Sequence, residues 1–590
     1  MTKTISVRAR VFNWRQSRIR LQPRKILLIA VTVITVFLVL PPMAILLFSS
    51  VRSTESTLPF EATNYTLSNY VKVFSAHSTY QLLLNTVWYT LGTVGICLVL
   101  TTAFAWFLER TNVPFRRLLF MLLLAPMGMP GVVTGMAWIL LANPANGLLN
   151  VLIRTTFGIE GPGPINIYST SGMIWVTSLR FVPMMYIMIS GVFSRIDPAY
   201  EEAAWTSGSK PWTTFMHISR PMLTPALLGA VIYYIVLTME MFEIAGMLGM
   251  PKGIYVFSTA VYYSVHRTMG GGGLPNYGLA SAYGSVLLVT ATALIYFYSR
   301  QVRHGERYVT VTGRGYRPRL FDLGRWKFVP VLAMCFYFVF AVAMPLLILI
   351  WTSLAPRIAA PSLSNLSLLN FGAYRELLKF KMLWSAAANT LVIAATVGLA
   401  TMLLATVMSW LSVRSGMRGV WAIPERLSFL ILGVPGVVLS LSLIFVYASL
   451  PIPIYGTIWI IVVAEVTRGL TYGTRLMSAA YLQIHKELEE ASSTSGAHMG
   501  TSFLHIVLPL LWPSFARGFL WLFAFSIRNT TIPLMLYAAG NETIAVTLWY
   551  LWVEEAEFSL ASAIAVPLVL ITSALSFFIA RKTMLAEGGT

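Results

Sequence analysis

The chain has 590 residues, 57% of them hydrophobic and 11% charged, against ~45–50% and ~25% in an ordinary soluble domain. With a mean hydropathy of +0.72, that balance excludes a soluble globular enzyme and poses the question of how many membrane spans the chain holds. The net charge of +20, which in a soluble protein would suggest nucleic acid, reads here as the basic flanks of spans on the cytoplasmic side, so no nucleic acid is expected as a partner.

Taken in order, the apolar runs of about 20 residues that could each cross a bilayer are 26–50, 83–108, 118–142, 172–193, 223–248, 280–299, 328–352, 385–411, 427–449, 456–478, 513–536 and 559–580. They are continuously apolar, without the two-residue alternation of barrel strands, so the expected fold class is an all-α membrane protein. The first run is too long for a signal peptide's apolar core and ends without a small-x-small site, so it reads as a retained span. Residues 1–25 carry eight Lys or Arg and no acid, and 300–327 carry eight against Glu306 and Asp322, so these two segments hold +14 of the +20. Their charge places both termini, the second marked by Arg581 and Lys582, in the cytoplasm, and Glu554, Glu555 and Glu557 on the opposite side. Cys97 and Cys335 lie alone in apolar runs, which leaves no disulfide framework and no Cys-x-x-Cys metal cluster.

The chain repeats itself. Asn85-Thr86 and Trp106 return as Asn389-Thr390 and Trp410 at an offset of 304, and Pro130-Gly131-Val132-Val133 returns as Pro435-Gly436-Val437-Val438 at 305. The offset then falls to 288, where Ile196, Glu201, Glu202, Ala203, Gly208, Ile218 and Pro221 match Ile484, Glu489, Glu490, Ala491, Gly496, Ile506 and Pro509. The expected organisation is therefore a cytoplasmic basic tail (1–25), a six-span domain (26–299), a cytoplasmic basic linker (300–327), a second six-span domain (328–580) and a cytoplasmic tail (581–590). Six spans return each half to its starting side, so the repeats are parallel rather than inverted.

Between spans 4 and 5, and again between 10 and 11, lies an unusual loop. Acids open a short helix, where the dipole favours them; a Gly suited to a left-handed stop follows; a second helical piece carries Phe215 and Ile218, or Phe503 and Ile506. A proline then starts the next span. Such a unit presents a rigid knob to something in the cytoplasm.

The pattern Glu-Ala-Ala, three residues, Gly, nine residues, Ile-x-Leu-Pro resembles the signature loop of bacterial ABC importer permeases. The first copy has Arg220 in place of Leu and the second has Ser492 in place of the second Ala. The resemblance implies that Glu201, Glu202, Ala203, Ala204, Gly208, Glu489, Glu490, Ala491 and Gly496 contact an ATP-binding subunit. It covers nearly the whole chain, and 242–251 and 532–540 resemble segments of the ferric-iron class, whose relatives handle thiamine, polyamines, phosphonates and phosphorylated acids. It implies two copies of the ATPase subunit below, a periplasmic or extracellular substrate-binding protein above, surrounding inner-membrane lipid, and alternating access as the mechanism. The chain lacks a Gly-x-x-x-x-Gly-Lys-Ser/Thr loop. It is therefore expected to be no enzyme and to hold no cofactor, with ATP and Mg2+ on the partner.

Ionisable groups at membrane depth mark candidate pathways. The 288 offset aligns Arg180 with Arg468 and Glu240 with Arg528, with Glu243, Glu465 and Asn529 close by. Glu240 and Arg528 could pair as a gate in a central cavity, or each could snorkel or tie helices together. Carboxylates suit ferric iron and arginines suit phosphate or carboxylate ligands, so this set does not choose a cargo. Pro130, Gly131, Pro435 and Gly436 would kink spans 3 and 9, for packing or as hinges. Gly270 to Gly273 read as an outer loop, Asn64 and Asn365 as incidental sequons, and His217 and His505 as interfacial residues. The rivals are an ion-coupled secondary transporter, which leaves the paired loops unexplained, and a membrane enzyme, for which the spans offer no clustered nucleophile, base or metal set.

Overall fold

Long apolar runs with no water to satisfy their backbone form helices, and helices are the regular elements of the computed structural model among its described residues, which are 23–53, 61, 64–193, 199–266, 275–305, 320–356, 361, 363–414 and 419–587. The basic tail up to residue 22, Ile196, Gly270 to Gly273, the middle of the linker (306–319) and residues 588–590 lie outside them.

The first half runs α1 (Pro23–Ser50), α2 (Ser68–Ser75), α3 (His77–Arg110), α4 (Arg116–Leu124), α5 (Gly131–Ala142), α6 (Leu148–Phe157), α7 (Thr170–Phe193), α8 (Ala199–Thr206), α9 (Pro211–Thr214), α10 (Arg220–Glu240), α11 (Phe257–Val265) and α12 (Tyr277–Gly305). The second runs α13 (Phe328–Phe338), α14 (Met344–Leu354), α15 (Gly372–Lys379), α16 (Lys381–Arg414), α17 (Ile423–Leu430), α18 (Gly436–Ser449), α19 (Ile458–Leu482), α20 (Glu487–Thr494), α21 (Met499–Ser502), α22 (Leu508–Arg528), α23 (Thr531–Met535), α24 (Ile544–Trp549) and α25 (Phe558–Glu587).

Eight helices are long and apolar enough to cross a membrane, and three bent pairs bring the number to eleven. The tenth expected span is the 25-residue α19, whose Glu465, Arg468 and Arg475 make it more polar than the rest. Spans 3 and 9 are broken, by 98° between Arg116–Gly128 and Gly131–Ala142 and by 112° between Gly419–Gly433 and Gly436–Ser449. The cause is local: a proline disfavours helical backbone in the residue before it, and Met129 and Val434 are extended.

Spans 5 and 11 are shorter than their apolar runs, which extend to 248 and 536. Both helices stop at their charged residue, Glu240 and Arg528, where Met241 and Asn529 turn extended. Non-helical backbone at this depth survives only inside protein; Met241, Phe242 and Thr530 are buried, and Ser258 Oγ donates to the Met241 carbonyl at 2.8 Å. The segment 532–540, expected within span 11, instead forms α23 and the turn after it.

The repeat reaches individual hydrogen bonds. Thr86 Oγ1 accepts from the Phe257 backbone N–H at 3.2 Å and Thr390 Oγ1 from that of Ile544 at 2.9 Å, so each threonine caps the short helix preceding the last span. Asn85 donates to the Tyr255 carbonyl at 3.3 Å and Asn389 to that of Glu542 at 2.9 Å. In space the halves interlock: α1 packs on α17 and α18, α13 and α14 pack on α4 and α5, and α12 lies against α18. One buried hydrophobic core runs through both.

Candidate translocation and coupling sites

At the breaks in spans 3 and 9 the buried charges converge. In the first half Arg180 Nη1 lies 3.5 Å from Glu243 Oε2. In the second, Arg468 occupies the equivalent place, but its carboxylate partner is Glu240 from the first half. Glu240 also accepts from the Gly436 backbone N–H at 3.2 Å, an otherwise unpaired donor in the first turn of α18. Arg528, aligned with Glu240 by the repeat, makes the reciprocal crossing and donates to the Met127 carbonyl in the first half. The Glu240–Arg528 pair, one of the two readings the sequence leaves open, therefore does not form. Each side chain crosses to the other half's broken helix, the anion to the N–H end of one segment and the cation to the carbonyl end of another, as backbone dipoles favour.

Gly131 and Gly436 adopt no left-handed backbone; they matter through space. A Cβ on Gly131 would sit 2.5 Å from Arg180 Nη1 and 3.1 Å from Glu243 Cδ, and one on Gly436 would strike Arg468. The Pro-Gly pair thus combines a break with an absent side chain, and a guanidinium fills the gap. Glu465 and Asn529 do something more local. Asn529 donates to Glu465 at 2.9 Å and Ser526 donates to its other oxygen, which ties α19 to the end of α22 in one half.

The signature loops repeat as built. Gly208 and Gly496 are left-handed, with φ of 83° and 82°. Ser209 N–H donates to the Ala204 carbonyl and Gly208 N–H to that of Trp205, mirrored by Ala497 to Ser492 and Gly496 to Ser493, so both helices end in a complete glycine C-terminal motif. Each then enters the next span through a π turn, Phe215–Ser219 or Phe503–Val507.

Within each Glu-Glu pair the first glutamate turns inward. Arg110 Nε lies 3.5 Å from Glu201 Oε2, both side chains 6% exposed, and Arg414 Nη2 lies 2.5 Å from Glu489 Oε1. Arg110 and Arg414 end the second span of their halves at the 304 offset of the repeat, a match legible in the sequence. Ala203, Gly208, Glu490, Ala491 and Gly496 face outward and Glu202 and Ala204 are half-buried, a surface suited to docking. Removing one member of a buried ion pair costs about 3–5 kcal/mol, so Arg414→Ala is expected to speed hydrogen exchange in 487–494 while leaving 199–206 unchanged.

The duplicated helical architecture and paired loops define a multi-span membrane protein of the transporter type. Residues 101–304 and 422–583 match the family described as binding-protein-dependent transport system inner membrane component, and the chain belongs to that family of non-enzymatic, multi-pass inner-membrane subunits. It is 28% identical over 460 residues to Ferric transport system permease protein FbpB of Actinobacillus pleuropneumoniae, covering 77% of this chain and 64% of that protein. It is 24% identical over 543 residues to Fe(3+)-transport system permease protein FbpB 2 of Haemophilus influenzae, covering 89% and 95%. Trehalose/maltose transport system permease protein MalF of Thermococcus litoralis matches at 25% over 274 residues, 45% of this chain and 88% of that one. The chain thus spans less than two thirds of the length of the first of these relatives.

Proposed function

We propose that the chain supplies both halves of the translocation pathway of an ABC importer and moves ferric iron inward by alternating access. The carrying observation is the pair of signature loops, each ended by a left-handed glycine and fastened to its own half by an Arg–Glu pair. Two equal loops call for two copies of an ATP-binding subunit, which binds ATP and Mg2+ and does the hydrolysis. A substrate-binding protein delivers the cargo from the opposite side, and both termini lie in the cytoplasm with the basic segments. The similarity to ferric permeases supports iron as the cargo. The crossed contacts of Glu240 and Arg528 form the gate: they join the halves in this state and exchange partners when the halves rotate.

The test is recovery of the ATP-binding subunit on the tagged, intact chain. The unmutated protein is expected to retain it, and Glu202→Lys with Glu490→Lys to lose about 90% or more, since like charge at a docking surface costs several kcal/mol. An unmutated chain that recovers no such subunit would sink the importer reading.

A further inference from the structure

The end of the inter-repeat linker is built into the first signature loop. Phe321 N–H donates to the Arg110 carbonyl at 2.9 Å and its carbonyl accepts from Asn112 N–H at 3.1 Å, so Thr111 and Phe321 form an isolated parallel β-bridge. Asn112 then clasps the next two residues. Its Nδ2 donates to Asp322 Oδ1 at 2.6 Å and its Oδ1 accepts from Leu323 N–H at 3.0 Å. The Gly324 N–H donates to the same Asp322 oxygen at 2.9 Å, and this bond with the Asn112 amide holds the carboxyl below its usual pKa, in its accepting form. Above the clasp the Phe321 ring sits between two indoles, 6.2 Å from Trp106 on α3 and 6.0 Å from Trp205 on α8. The three rings, with Arg110 and Glu201, close a small cavity behind the signature helix.

The second half is built differently at the same point. The 288 offset puts Ser493 where the first half has Trp205, and Trp410, the counterpart of Trp106, faces Phe503 of its own half at 5.5 Å. Among the described residues, the first loop alone is therefore tied to the linker by an aromatic contact. That linker continues through Gly324–Lys327 directly into α13, which packs on α4.

We propose that residues 321–323 form a transmission strap: displacement of the first signature helix by its bound ATPase subunit is passed through Trp205 and Phe321 to the first span of the second half. This rests on the importer reading and adds to it a route between the halves, and it makes the two signature loops mechanically unequal. Phe321 and Asn112 are positioning residues and touch no substrate.

The test uses the full chain assembled with its ATP-binding subunits, with Cys97 and Cys335 replaced and spin labels at Thr206→Cys on α8 and Trp326→Cys beyond the strap. Addition of a non-hydrolysable ATP analogue is expected to leave the 206–326 distance unchanged in this background and to change it once Phe321→Ala or Asn112→Ala is added. In proteoliposomes with the binding protein and radiolabelled ferric iron, those two variants are expected to lower uptake per ATP hydrolysed by about fivefold, within the range of coupling energies measured for residues between sites. Phe321→Trp, which keeps a ring in the slot, is expected to retain it, and Trp205→Ser with Phe321→Ala to be no worse than either alone. A 206–326 distance that already changes in the background, or uptake per ATP unchanged in Phe321→Ala, overturns the strap and leaves the importer reading standing. Lower uptake in Phe321→Ala that tracks lost ATPase subunit also overturns it, because the role would then be assembly. An unmutated chain that binds no ATPase subunit overturns the importer reading itself, and the strap with it.

Discussion

Arg468→Ala is expected to reduce transport about tenfold or more and to destabilise the protein by about 3–5 kcal/mol, the usual result of stranding one member of a buried ion pair. Glu240 and Arg468 are 10% and 24% exposed at their side chains, come from opposite halves, and sit where α10 ends against the start of α18. The informative variant is Glu240→Gln with Arg468→Met. It removes both charges, so the stranding cost disappears, and the glutamine amide oxygen can still accept from the Gly436 N–H that Glu240 now satisfies. Thermal unfolding in detergent is therefore expected to return close to the unmutated value. If the pair is a gate remade in every cycle, uptake stays low despite restored stability, and hydrolysis without cargo rises because the resting arrangement is no longer favoured. If the double variant folds and transports normally, the pair only holds helices together and the gate is elsewhere.

The spans, the duplication and the signature loops are legible in the sequence because each leaves a local or periodic trace: apolar length, fixed offsets, a glycine after an acidic turn. What depends on the other half leaves no such trace. Apolar composition continues past Glu240 and Arg528 to 248 and 536, so hydropathy could not end those helices there; both end at a charged side chain with a partner across the interface. The repeat put Glu240 and Arg528 at equivalent positions, which suggested that they meet. Equivalence in a duplicated chain instead means that each faces the other half's copy of one neighbourhood, and here that neighbourhood is a broken helix. The partners of Glu201 and Glu489 were visible as Arg110 and Arg414 at the 304 offset. The loop itself repeats at 288, so only the two offsets taken together join each arginine to its glutamate. Phe321 could not have been found that way, since its contacts with Trp106 and Trp205 exist only once.

Gly436→Ala should discriminate between two accounts of the Pro-Gly breaks. Alanine is the better helix former by about 1 kcal/mol, and Gly436 begins α18 without left-handed backbone, so the backbone alone predicts a neutral or slightly stabilising change. The space predicts otherwise: the new methyl would collide with the Arg468 guanidinium, the next neighbour being Ile532 Cγ1 at 3.6 Å. A guanidinium is the free end of a flexible side chain, so the arginine swings away and the fold stays. The Glu240–Arg468 contact between the halves is lost with it. The expected result is a loss of about 3–5 kcal/mol of stability, as for Arg468→Ala, because Glu240 is stranded in the same way, with uptake reduced about tenfold, close to the effect of Arg468→Ala on transport. Arg468→Lys in the Gly436→Ala background is then expected to recover part of the uptake, because a slim ammonium can pass the methyl and still reach Glu240. Were Gly436 a hinge that works through backbone freedom, the lysine would recover nothing, since it returns none of the flexibility that alanine removes.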